Sequence, residues 1–202
     1  IIKPFIRIRI GIMNTDRIGR LAPDVNAYLL RKKIEEYRYY DLIFQKGFVA
    51  NNFLFKKWKN IIKIRPNNFY IEKIIHKINK TFINKKYIVP LGDNSRYFYL
   101  FNKFNSPDIN FSKDEEKYCK KQLNKIKSQS NKLVCFHNRD SSYLEKYFKG
   151  DWSYHDKRDF TVNSFNKSLS YLTNFNYDCF RLGSESNSKI SIKDSKIFDY
   201  VN

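Results

Sequence analysis

The chain has 202 residues, 42% of them hydrophobic and 17% aromatic, which is enough for one large domain or two small ones with real cores. Its formal net charge is +19, unevenly spread: residues 1–130 hold 28 basic and 11 acidic side chains, residues 131–202 hold 11 and 9. No apolar stretch approaches the roughly 20 residues that cross a bilayer, and three cysteines without a C-x-x-C pair argue against a disulfide framework or a zinc site.

In chain order, residues 5–12 (FIRIRIGI) alternate apolar and basic, like a strand with one covered face. Residues 14–20 read as a loop. Residues 24–37 read as a helix with Asp24 at its N-cap. A short strand follows at 41–45. Residues 52–62 place Phe55, Trp58, Ile61 and Ile62 at helical spacing, and 61–64 turn extended ahead of Pro66. Residues 68–83 form an amphipathic helix with Ile71, Ile74, Ile75, Ile78 and Phe82 on one face; His76 lies in it as a surface or packing residue. A strand is expected at 87–91. The aromatic run within 92–111, RYFYLF, is either a strand or a lid. Residues 112–127 form a helix opened by a capping box, Ser112 with Glu115, and 128–131 (SQSN) read as a polar hinge.

After the hinge come a strand at 133–136, a loop with a helical turn at 140–148, a helix at 161–174 and a strand at 177–182; another strand starts at Ile197. Strand, helix, strand with a helix-length crossover implies a parallel sheet. Cys135 and Cys179 sit inside apolar runs and read as buried thiols, which suits a reducing, cytoplasmic setting. The chain begins with Ile in a strand and stops at what reads as the start of another, so a piece of a longer protein is expected.

Two explanations compete for the charge. The composition, with 28 Lys, 23 Ile and 22 Asn against 3 Ala and 6 Gly, follows from an AT-rich coding sequence. Nucleic-acid binding is the other, but Lys outnumbers Arg 28 to 11, whereas specific readers lean on the arginine fork. A nucleic-acid partner is therefore not favoured. The basic half suits an anionic membrane surface or is simply a solvated face.

The densest polar chemistry follows the strand at 133–136: KLVCFHNRDSSYL places His137, Arg139, Asp140 and Ser141 at its carboxyl end. The strand at 177–182 ends in Arg181, Leu182 and Gly183, and His155, Asp156 and Arg158 precede the crossover helix. Ligands of open α/β sheets bind beyond the carboxyl ends of the strands. Arginines clamp phosphate, a helix start near Thr161 favours an anion, and a His or Asp there serves as a general base. His155, Asp156 and Arg158 read equally well as ordinary loop polars. No G-x-G-x-x-G or P-loop pattern occurs.

The series VCFHNRDSSYL, HDKRDF, helix, FRLGS resembles a family of bacterial glycosyltransferases from surface-polysaccharide loci. Its members carry versions of V-C-x-H-x-R-D-S-x-Y-L, H-D-Y-R-N and a strand ending in R-M-G. The segment DRIGRLAPDVNAYLLR is similar to that family's R-I-G-H-L stretch before a helix ending in Y-L-R. Departures are Lys157 for Tyr, Asp159 for Asn, Leu182 for Met, and Arg20 for His or Asn. The resemblance implies an α/β fold of two Rossmann-like, GT-B-type halves facing a cleft. The acceptor-side half would be 1–130, and the nucleotide-sugar-binding half, 131–202, would be incomplete, so that the chain alone would be inactive. It further implies a nucleotide-sugar donor, a glycan or lipid-linked acceptor, no cofactor, no metal and peripheral contact with the cytoplasmic membrane. Arg139 would hold the donor pyrophosphate, by analogy with the H-x-R motif of fucosyltransferases. Arg181 and Arg158 would support it, His137, Asp140 and His155 would be catalytic candidates, and Ser141, Asp156 and Gly183 would line the site.

Overall fold

The computed structural model describes residues 7–67, 69–80, 87–92, 98–104, 109–126, 128, 130 and 132–201. The fold is mixed α/β and comprises two compact units, Ile1–Asn110 and Phe111–Asn202, each with a three-stranded parallel sheet. The boundary precedes the 113–126 helix, so residues 111–130 lie with the second unit. The reason is visible at the expected hinge: Ser128 donates through its backbone N–H (2.8 Å) and hydroxyl (2.5 Å) to Asp178, and the Ser130 hydroxyl donates to the carbonyl of Asn176.

In unit 1, β1 (Arg7–Asn14) pairs with β2 (Tyr39–Lys46), and β2 with the short β3 (Ile64–Arg65). On the free side of β1, Ile88 bridges to Ile10 in parallel, so the order across the sheet is β3-β2-β1-Ile88. The expected strand at 87–91 is reduced to this bridge. It lies very close: a Cβ placed on Gly11 would fall 2.6 Å from Cβ of Val89, a distance that real side chains do not tolerate. Helices α1 (Ile18–Leu21), α2 (Pro23–Lys32), α3 (Asn52–Ile61), α4 (Phe69–Lys80) and α5 (Phe98–Lys103) complete the unit. The core joins Met13, Leu21, Val25, Tyr28, Ile43, Trp58, Ile62 and Val89, and the Trp58 indole donates to the carbonyl of Leu21 at 3.0 Å.

Expectations change here at the cap of α2, the aromatic run and the covered face of β1. Ala22, not Asp24, is the N-cap of α2, because Pro23 takes the first helical position and buries Asp24 in the first turn. The aromatic run is helical where described, at α5, with Leu100 buried. The predicted tail of α4 beyond Lys80 lies outside the described residues. The covered face of β1 carries Arg9, Gly11 and Met13, while Ile8 is 42% exposed.

Arg9 tolerates burial, at 5% exposure, because two carboxylates surround it. Its Nε and Nη2 donate to Asp41 at 2.6 and 2.7 Å, and Nη1 and Nη2 donate to Glu35 at 2.6 and 3.1 Å. The Tyr28 hydroxyl adds 2.7 Å to Asp41. Burial by itself would lower the Arg9 pKa; the Asp41 and Glu35 contacts outweigh it and raise it. Burial would likewise raise the Asp41 carboxyl, but the hydrogen bonds of Arg9 and then Tyr28 hold it below its ordinary value. The Tyr28 hydroxyl itself is pushed up, first by burial and then by Asp41.

In unit 2, β4 (Lys132–Phe136), β5 (Tyr177–Arg181) and β6 (Ile197–Asp199) lie in sequential order. Helix α6 (Lys113–Ile126) opens with the expected capping box: the Glu115 N–H donates to Oγ of Ser112 at 3.2 Å, and the Ser112 N–H to Oε2 of Glu115 at 2.7 Å. Between β4 and β5 come α7 (Ser142–Tyr147), two 3₁₀ turns at Ser153–Arg158 and Val162–Phe165, and α8 (Asn166–Asn174). Phe165 packs edge-on against Phe136 and Phe160, and Phe180 stacks on Phe198. Cys179 is buried as expected. Cys135 is exposed, because it lies with Leu133 on the uncovered face of β4.

Candidate functional site

Because the strands of unit 2 are parallel, their carboxyl ends share one edge. Three loops leave it: His137–Asp140 after β4, Leu182–Ser188 after β5, and Tyr200–Val201 after β6. Register brings Phe136 beside Arg181 and Arg181 beside Asp199, so the first residues of all three loops are neighbours.

Arg181 is the centre of this edge and is fully buried. Its Nε donates to Oδ1 of Asn138 at 3.0 Å. Nη1 donates to the Ser188 carbonyl at 2.8 Å and to Oδ2 of Asp199 at 2.9 Å. Nη2 donates to Oγ of Ser186 at 2.5 Å. The Ser186 hydroxyl then donates to Oδ2 of Asp140, also at 2.5 Å. Asp140 accepts three further bonds, from the Ser142 hydroxyl (2.5 Å), the Ser142 N–H (3.2 Å) and the Asn187 N–H (3.1 Å). Burial would raise the Asp140 carboxyl, but the Ser142 and Ser186 hydrogen bonds outweigh it, and the pKa is lowered. A carboxylate held this way is a poor base and a good anchor. Arg181 and Asp140 thus sit at the two ends of one relay through Ser186, binding the loop after β5 to the loop after β4.

His137 is exposed at the same edge, with Nδ1 2.9 Å from the carbonyl of Leu182. A carbonyl only accepts, so Nδ1 is the donor in this contact, and in the neutral imidazole Nε2 is the acceptor. Gly183 lies against this ring: a Cβ there would be 2.9 Å from Cγ2 of Val201 and 3.7 Å from Nδ1 of His137. Arg139 is 32% exposed in its side chain, and its Nε faces Oδ1 of Asp159 at 3.1 Å. Its backbone carbonyl accepts from the N–H of Phe160 at 3.0 Å, and the Asn138 amide donates to the Phe160 carbonyl at 3.3 Å. These bonds tie the segment before the crossover helix to the edge.

His137, Arg139, Asp140, Arg181 and Gly183 are therefore gathered at one edge. His155, Asp156 and Arg158 lie on the 3₁₀ turn Ser153–Arg158. There His155 stacks on Trp152, with centroids 6.0 Å apart and planes 13° apart, and accepts from Arg158 at Nδ1. Asp156 is exposed. Ser141 contributes its carbonyl, which accepts from the N–H groups of Leu144 and Glu145 at 2.9 and 3.0 Å and opens α7. Sequence reasoning missed Asn138, Ser186, Ser188, Asp159 and Asp199. Of these, Asn138 and Asp159 carried a signal, inside the His-Asn-Arg-Asp run and the HDKRDF run.

A shallow depression of about 260 Å³, lined by Lys189, Ile190, Ile192, Ile197 and Asp199, runs along β6. No group of three or more His, Cys, Asp or Glu side chains is placed to hold a metal among the described residues, and no helix among them is long and apolar enough to cross a membrane. Comparison with protein families, curated proteins and solved structures finds no match to this chain.

Proposed function

We propose that the chain is part of a GT-B-type glycosyltransferase. It would move a sugar from a nucleotide-sugar to a surface-polysaccharide or lipid-linked glycan at the cytoplasmic face of the membrane. The observation that carries the reading is Arg139. It follows the end of a parallel strand, keeps a third of its side chain in solvent, and stands in the same loop as the exposed imidazole of His137. The order β3-β2-β1-Ile88 in unit 1 supports it, since a strand order that reverses at the first strand is the pattern of doubly wound nucleotide-binding sheets.

In this reading the Arg139 guanidinium binds the donor pyrophosphate, with Arg158 as a second cation. The Nε2 lone pair of His137 takes the proton of the acceptor hydroxyl. The acceptor oxygen bonds to the anomeric carbon as that carbon's bond to the pyrophosphate oxygen breaks, and the nucleoside diphosphate leaves with the electron pair. Arg181 and Asp140 act as positioning residues, since their polar atoms are committed to partners inside the protein.

A thermal-shift screen of the full-length protein against UDP-, GDP-, CMP- and dTDP-sugars tests this. One nucleotide should give a saturable rise in Tm that Arg139→Ala abolishes without changing the unliganded Tm by more than a degree or two. Silence with all four would sink the reading and bring a nucleic-acid partner of the basic half to the front.

A further inference from the structure

The cation that the proposed reaction puts on the donor pyrophosphate already has an anion beside it. Oδ1 of Asp159 lies 3.1 Å from Nε of Arg139, with the carboxylate side chain 18% exposed and the arginine 32%. The contact is close without being aligned: Oδ1 is buried and accepts no hydrogen bond from the described residues. Neither Nη group of Arg139 donates to a described residue. Arg181, fully buried at the same edge, has the opposite arrangement, with Nε, Nη1 and Nη2 all donating inside the protein.

The carboxylate is fixed and the guanidinium is not. The Asp159 N–H donates to the Asp156 carbonyl at 2.9 Å and closes the 3₁₀ turn Ser153–Arg158. One residue on, the Phe160 N–H donates to the Arg139 carbonyl at 3.0 Å, and the Phe160 carbonyl accepts from the Asn138 amide at 3.3 Å. The backbone on both sides of Asp159 is therefore pinned, and its short side chain has little reach. Arg139 carries its charge at the end of a long stem. A partly exposed, unaligned ion pair is weak, and two charge-assisted bonds from the Nη fork to phosphate oxygens outcompete it. The carboxylate stays behind when the guanidinium turns. A phosphate held by Arg139 then has a fixed negative neighbour, and like charges repel across a partly dry contact.

We propose that Asp159 is a resident counter-anion of Arg139, which yields the guanidinium to an incoming pyrophosphate and reclaims it when the nucleoside diphosphate leaves. The proposal rests on the reading of Arg139 as the donor-phosphate ligand. Breaking the bond to the anomeric carbon leaves the nucleoside diphosphate with one more negative charge than the pyrophosphate of the donor. Repulsion from Asp159 is therefore greater after transfer than before it. Asp159 weakens retention of the product more than it weakens binding of the donor.

Calorimetric titration of the full-length protein with UDP, GDP and dTDP, each beside its glucose conjugate, tests this. Asp159→Asn should bind the diphosphate that the parent selects about three- to fivefold more tightly, with a smaller gain for the glucose conjugate. Asp159→Ala should do the same, which keeps the test decisive if one neutral variant folds poorly. Asp159→Glu keeps the charge and should stay within about twofold of the parent. The gain should be absent in the Arg139→Ala background, since it acts through that side chain. If the parent binds a diphosphate through Arg139 and both neutral variants bind it no better, the counter-anion role is overturned and the donor site stands. An equal gain in the Arg139→Ala background would overturn the role as well. If parent and neutral variants all bind no diphosphate, the donor site and the counter-anion fall together.

Discussion

Every nitrogen of the Arg181 guanidinium donates inside the protein, and none of its surface meets water. Removing it would strand Asn138, Ser186 and the Asp199 carboxylate without their cation. Arg181→Ala should therefore cost unit 2 about 3–5 kcal/mol, the range for breaking a buried, hydrogen-bonded ion pair. Urea denaturation measures this, and a loss below about 1 kcal/mol would refute the structural assignment. The sequence reading had set Arg181 beside Arg139 as a phosphate ligand, because both follow strand-like runs. What separates them is not local. Ser186 and Ser188 belong to a polar loop without a motif, and Asp199 is 18 residues from Arg181; all three converge only through the pairing of β5 with β6.

At the level of elements, runs of consecutive apolar residues and local caps were readable. The strands at 132–136 and 177–181 and the Ser112–Glu115 box are set by neighbours in sequence. The Arg9–Asp41 pair was not readable, since it joins positions 32 residues apart through the register of β1 on β2. The face of β1 was obscured for the same reason: an arginine in an alternating strand reads as solvent-facing until its acids are located. The pair predicts an acid limb to the stability of unit 1. Asp41 titrates lower when folded than when unfolded, so its contribution is fully present above the unfolded carboxyl value of about 3.9. It is lost as pH falls through the folded value. Asp41→Asn should lower the stability of unit 1 at neutral pH by about 3 kcal/mol or more and flatten the dependence below pH ~4. Parallel pH profiles for parent and variant would contradict this.

Across the whole molecule the charge is lopsided: unit 1 has 22 basic and 8 acidic side chains, a net of +14, and unit 2 has 17 and 12, a net of +5. If the proposed membrane role holds, the chain should co-sediment with vesicles rich in phosphatidylglycerol at low salt. It should be released as ionic strength passes about 0.15 M, where screening acts within about 8 Å. Retention in solution at low salt would remove the membrane from the proposal and leave the donor site untouched. The same unit has one close approach that a side chain would crowd. Only a hydrogen stands on the Gly11 side facing Val89, and the segment at 87–91 lies against β1 through that gap. A methyl group there would press on Val89 and act as a wedge between β1 and the 87–91 segment. Gly11 is thus a junction whose emptiness lets the chain turn back across its own first strand.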